Sequence, residues 1–150
     1  MLEFVPNLNV NGTNPGAGPD TAEYDYTGQI SNGDHALTGC FSFNVYGASF
    51  GCDSLGAACD FYFEGYQYDP TTQNETLAAT YDHSIPACPS QNNCSLTPIT
   101  LNDGFRNLTD IRITATVELL PKKWYMDDLH LGWFDNSCKT GLCRQNAHIQ

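Results

Sequence analysis

The sequence predicts an all-β protein: an antiparallel β-sandwich, stapled by disulfides and led by an irregular N-terminal arm. Three observations predict it. Apolar and polar residues alternate over short stretches at regular intervals. Gly, Pro, Asn and Asp fill the gaps between those stretches, and most of the seven cysteines fall in close pairs. No stretch keeps a helical period, and Pro or Gly punctuates every plausible helix.

Residues 5–36, "VPNLNVNGTNPGAGPDTAEYDYTGQISNGDHA", are rich in Asn, Gly, Pro and Asp. They read as an irregular arm of the same domain, spanning 1–36, with one short strand near 22–27. Residues 37–150 form the sandwich. In "CFSFNVYGASFGC" Phe41, Phe43 and Val45 oppose Ser42, Asn44 and Tyr46. In "CDFYFEGYQYD" Phe61 and Phe63 oppose Tyr62 and Glu64, and Gly65 suggests a bulge. "DPTTQN" is a turn that returns the chain through "ETLAATYDHSI" as an antiparallel partner. "SLTPITLN" is a short strand. "DIRITATVEL" alternates most clearly, with Ile111, Ile113, Ala115 and Val117 on one side, and "WYMDDLHLGWF" closes the sheet.

At 150 residues, with 41% hydrophobic and 12% aromatic side chains, the chain suits one domain with a real core. Its net charge of −11 repels phosphate backbones and anionic membranes, which argues against nucleic acid as a partner. No apolar run approaches membrane-spanning length, so no membrane insertion is expected. The acidic balance suits neutral polymers and cations such as Ca²⁺.

The cysteine spacings exceed those of zinc sites. They predict local disulfides Cys52–Cys59, Cys88–Cys94 and Cys138–Cys143, leaving Cys40 as the odd thiol. Disulfides need an oxidising compartment. Asn11, Asn74, Asn93 and Asn107 each begin an N-glycosylation triplet, and together with the cysteines they predict a secreted, extracellular glycoprotein. The opening "MLEFVPNLNV" has neither the basic nor the apolar region of a signal peptide, so secretion implies a replaced leader or a shortened reading frame at this end.

The order of these pieces, from "FYFEGYQYD" through "LNDGFRNLTDIRITAT" to "YMDDLHLGW", resembles the jelly-roll β-sandwiches of the galactose-binding-like and carbohydrate-binding-module kind. More narrowly, "MDDL-x-LGWF-x-NSC" is similar to the end of an uncharacterised domain of secreted fungal proteins. The resemblance covers residues 40–138. It implies a jelly roll and a carbohydrate or cell-wall polymer as partner. It also implies a first-strand acid that helps hold structural calcium, for which Glu23 and Asp25 are the substitutes in this chain.

Two adjacent acids sit inside the last apolar strand. Strand parity puts Asp127 on the inner side with Leu129, Leu131 and Trp133, and Asp128 with Trp124, Met126 and His130. A buried carboxylate needs partners, either Ca²⁺ or backbone N–H and hydroxyl donors. Asp127 and Asp128, with Glu23 and Asp25, are therefore the candidate metal ligands. Tyr62, Tyr66 and Tyr68, with Glu64 between them, form a stripe. It suits a sugar, whose C–H face stacks on flat rings while acids take its hydroxyls, or it packs on a neighbouring strand or loop. Trp124 is the other stacking candidate, or else a cap over the core's open end.

Catalytic patterns are lacking. His35, His83, His130 and His148 are scattered, and "YGASFG" is not a nucleophile elbow. The expectation is a monomeric, non-catalytic module that binds carbohydrate or another surface polymer. A small glycan hydrolase using an acidic pair, and a structural or effector-like secreted protein, are the competing classes.

Overall fold

A computed structural model describes residues 2–4, 27–89 and 94–147. Nine strands run through them: β1 (Leu2–Phe4), β2 (Gly28–Ser31), β3 (Phe43–Cys52), β4 (Cys59–Asp69), β5 (Asn74–Ile85), β6 (Thr97–Thr100), β7 (Asp110–Val117), β8 (Leu120–Pro121) and β9 (Trp124–Trp133). One helix follows, α1 (Cys138–Ala147). The strands form two antiparallel sheets, ordered β1-β9-β3-β6 and β2-β7-β4-β5, with β8 hairpinned onto β7. The protein is an antiparallel β-sandwich. Within residues 1–36, read as an irregular arm, β1 joins β9 and β2 joins β7, so this segment adds a strand to each sheet. The strand expected near 22–27 falls almost wholly outside the described residues, and β2 begins just after it.

Alternation builds the core. Phe61 and Phe63 of β4 are buried, as are Ile111, Ile113, Ala115 and Val117 of β7. Phe50 of β3 lies 5.2 Å from the rings of both Phe61 and Phe63, across the gap between the sheets. The irregularity anticipated at Gly65 is present: Gly65 pairs with Ala79 but Tyr66 with Leu77, so Ala78 of β5 is the extra residue.

The last strand departs from simple parity. On β9, His130 pairs with Gly47 and Asp127 with Ser49, so Asp128 and Leu129 oppose the single residue Ala48. Asp128 sits at φ +51°, the left-handed conformation that a bulge of this kind requires. The bulge resets the alternation. Trp124 and Met126 before it are buried, and Leu129 after it packs against the same core. Asp127 is therefore not on the inner side, as uniform parity predicted. It pairs with the outward Ser49 and accepts a hydrogen bond from the Asp128 N–H at 3.0 Å. Asp128 is exposed and does not share the side of Trp124 and Met126. A second bulge, Tyr46, lies on β3 beside Gly47, whose φ is +151°. A side chain there would collide with the Ile99 carbonyl, so only glycine fits.

Disulfides Cys52–Cys59 and Cys88–Cys94 form as the spacing predicted. The third does not. Cys143 joins Cys40, with Cα atoms 6.2 Å apart, and Cys138 is the free, exposed thiol. Spacing misassigned this pair because α1 carries Cys143 back across the β3 approach, where Cys40 waits. No helix was expected here, and α1 buries no residue. It forms because Ser137 caps it, accepting from the Thr140 N–H, and because the Asp135 carboxylate accepts from the Ser137 N–H at 2.8 Å. Arg144 in its last turn donates to the carbonyls of Cys40 and Asp135.

Candidate functional site

The outer face of the β2-β7-β4-β5 sheet carries the tyrosine stripe. Directly paired residues of antiparallel strands point the same way. Tyr62 thus stands between Asp82 of β5 and Thr114 of β7, and Glu64 between Thr80 and Arg112. Tyr66 lies between Leu77 and Asp110, and Tyr68 opposite Glu75. One row away Asp60 stands between Ser84 and Thr116 and accepts the Ser84 hydroxyl at 2.6 Å.

The stripe is not uniform. The Arg112 guanidinium lies 4.2 Å over the Tyr66 ring and so covers one of its faces. Burial, and then the nearby Glu64 charge, push the Tyr66 phenol up from its ordinary value. Tyr66 and Tyr68 are half-buried, which is the packing alternative for these two rings. Tyr62 is 37% exposed, and among the described residues no ring or cation stacks on it. It is the open platform of the face.

Arg112 is itself held. Its Nε donates to Asp110 Oδ2 at 2.9 Å, and its Nη2 reaches Glu75 Oε2 at 2.7 Å. Gln29 of β2 donates to the same Asp110 oxygen at 2.8 Å. Asp110 is fully buried, and its Oδ1 has no hydrogen-bond partner among the described residues. This is the buried carboxylate that the Asp-Asp strand seemed to supply. Its signal was legible in "DIRITAT", where Asp110 and Arg112 share a side two residues apart. Only the pairing register shows that this side adjoins Tyr66.

The remaining sequence candidates separate. Trp124 is 0% exposed, its ring 5.8 Å from Phe61 and 5.9 Å from Phe50. It is core, not a stacking platform, because its register partner Cys52 faces inward. Asp127 and Asp128 lie on the other sheet and do not meet the tyrosine face. Glu23, Asp25, Asn11 and Asn93 lie outside the described residues. Asn74 is exposed at the β4–β5 turn, whereas Asn107 is half-buried with φ +58°. Among the described residues no group of three or more His, Cys, Asp or Glu side chains converges to hold a metal. The Asp127–Asp128 pair by itself offers too few oxygens for Ca²⁺, which takes six or more. Among those residues, too, no helix is long and apolar enough to cross a membrane.

No curated protein and no solved structure matches this chain. A family model does, over residues 1–144, and its description is "Domain of unknown function (DUF7371)". That match spans nearly the whole chain, so the protein belongs to this family.

Proposed function

We propose that the protein is a secreted, non-catalytic, monomeric module that binds a neutral carbohydrate polymer across the outer face of β5, β4 and β7. The observation that carries this reading is the uncovered Tyr62 ring in a row with Asp82 and Thr114. A pyranose stacks its C–H face on such a ring, while carboxylates and hydroxyls within one residue spacing take its hydroxyl groups. Charge narrows the class. Asp60, Glu64 and Asp82 surround Tyr62, and the nearest cation, Arg112, is already matched by Asp110 and Glu75. Uronic or sulfated glycans would be repelled.

Other features support the reading. The disulfides fit an oxidising compartment and hence secretion. The exposure of Asn74 at the β4–β5 turn supports its carrying a glycan. Leaving out the two-residue β8, the facing strand orders are those of two interleaved Greek keys, which supports a jelly roll and the resemblance to carbohydrate-binding sandwiches. Hydrogen bonding, rather than calcium, is the role assigned to Asp127.

A glycan array of neutral and anionic oligosaccharides tests the proposal. Wild-type protein should retain neutral glycans only. Tyr62→Ala should lower affinity at least tenfold, with stability changed by less than about 0.5 kcal/mol, as for an exposed site. Undiminished binding by Tyr62→Ala, or selective retention of acidic glycans, would refute it. Release of shortened oligosaccharides by wild-type protein would replace it with the hydrolase reading.

A further inference from the structure

At the side of the sandwich where the two sheets part, a cavity of about 560 Å³ opens. Its apolar wall includes Ile30, Phe41, Leu131 and Trp133, and its polar groups include Asn32 and His35. The strand pairing explains why it exists. Phe43 and Val45 point inward, and their direct partners on β9 are Trp133 and Leu131, which therefore point inward too. Yet these two remain 43% and 44% exposed. The facing sheet's edge strand among the described residues, β2, is only four residues long and meets this cavity through Ile30, so it leaves the two side chains partly open. Among the described residues they are core-facing side chains only partly covered.

The walls are built rather than loose. His35 stacks on Phe41 with ring centroids 4.4 Å apart, and Phe41 meets the Trp133 ring edge-on at 5.9 Å. Arg144 of α1 lies 4.7 Å over Trp133, and the Cys40–Cys143 disulfide ties that helix to the residue before Phe41. A fixed concave apolar space with a few polar groups on one side suits a small molecule. A protein partner would need a flat patch of several hundred Å². The net charge of −11 disfavours an anionic guest.

We propose that this cleft binds a neutral, ring-bearing apolar molecule with a single hydroxyl or carbonyl, its rings against Ile30, Leu131 and Trp133 and its oxygen at Asn32 or His35. The site faces inward, whereas Tyr62 faces outward on the other sheet, so this proposal does not depend on glycan binding.

The test uses the uncharged fluorophore N-phenyl-1-naphthylamine with the whole chain. Saturable, one-to-one fluorescence enhancement is expected, together with movement of the Trp133 indole N–H resonance but not that of buried Trp124. Leu131→Arg, at a half-exposed position, should weaken binding more than about tenfold while leaving the circular dichroism unchanged. 2-Acetylnaphthalene should displace the probe about fivefold better than 2-ethylnaphthalene, and Asn32→Leu with His35→Leu should erase that difference. Unsaturable fluorescence, or a stationary Trp133 resonance, would overturn the proposal even if Leu131→Arg failed to fold. So would equal binding by Leu131→Arg, or equal displacement by the two naphthalenes. A dimer that Leu131→Arg dissociates, without probe binding, would assign the cleft to a second copy of the chain.

Discussion

A buried carboxylate is tolerated only where donors replace its water. Asp110 meets that condition through one oxygen, which receives Arg112 and Gln29, while Arg112 is steadied from its other end by Glu75. Removing the charge without changing the shape isolates its role. Asp110→Asn should cost on the order of 2–4 kcal/mol in urea denaturation, because Arg112 loses the buried half of its pairing. Asp127→Asn, on the outward side of β9, should cost less than about 1 kcal/mol, and a chelator should leave the wild-type midpoint unchanged. Comparable costs at the two positions would mean that Asp110 is not the buried charge on which the fold depends. Trp124 illustrates the same rule from the apolar side. A tryptophan beside two lysines looked available to a ligand, but its register with Cys52 buries it completely.

Elements here are shaped by irregularities as much as by pattern. The β9 bulge lets Trp124 and Met126 before it and Leu129 after it serve one core, which an unbroken strand of this sequence would not allow. Its left-handed residue is Asp128, a type that tolerates that conformation. Asp128→Gly should therefore be nearly neutral, whereas Asp128→Val should lose roughly 1–3 kcal/mol, a contrast that thermal unfolding would read. Helix α1 depends on its cap in a different way. The Thr140 hydroxyl, followed by the Ser137 N–H and hydroxyl, holds the Asp135 carboxyl below its ordinary value. Because the folded value is the lower one, the cap is fully formed above the ordinary carboxylate range, about pH 4, and is lost as pH falls through the Asp135 value. The amide resonances of Ser137 and Thr140 should titrate together with a midpoint below about 3.9, and Asp135→Asn should abolish that titration. A midpoint at the ordinary value would show that the cap does not hold the charge.

At the scale of the molecule, one long-range covalent tie joins helix α1 to the approach to β3. Cys40 and Cys143 are 103 residues apart, so their link restrains the unfolded chain far more than the two short loops do. On the chain-entropy model a loop of this size is worth roughly 4–5 kcal/mol, less whatever strain the folded state carries. Cys143→Ser should therefore lower stability by about 2–5 kcal/mol, and α1 amides should lose protection from exchange. Cys138→Ser should change neither. Peptide mapping that found Cys138 joined to Cys143 would reverse the expectation.

The sequence alone determined the antiparallel sandwich and nearly every long strand, because a two-residue alternation is a local property and survives any choice of partner. It determined two disulfides for the same reason, since short loops bring their own cysteines together. It also placed Tyr62 on an outward side. Tertiary structure decided the rest. Which strand each side faces depends on register, and a single extra residue at Asp128 moved Asp127 out and kept Trp124 in. Helix α1 has no apolar stripe to announce it, since a cap and a distant cysteine hold it. Spacing shows Asp110 and Arg112 on one side, but Gln29 and Glu75, and the walls of the cleft beside Trp133, come from residues far apart in sequence and meet only once the sheets have paired.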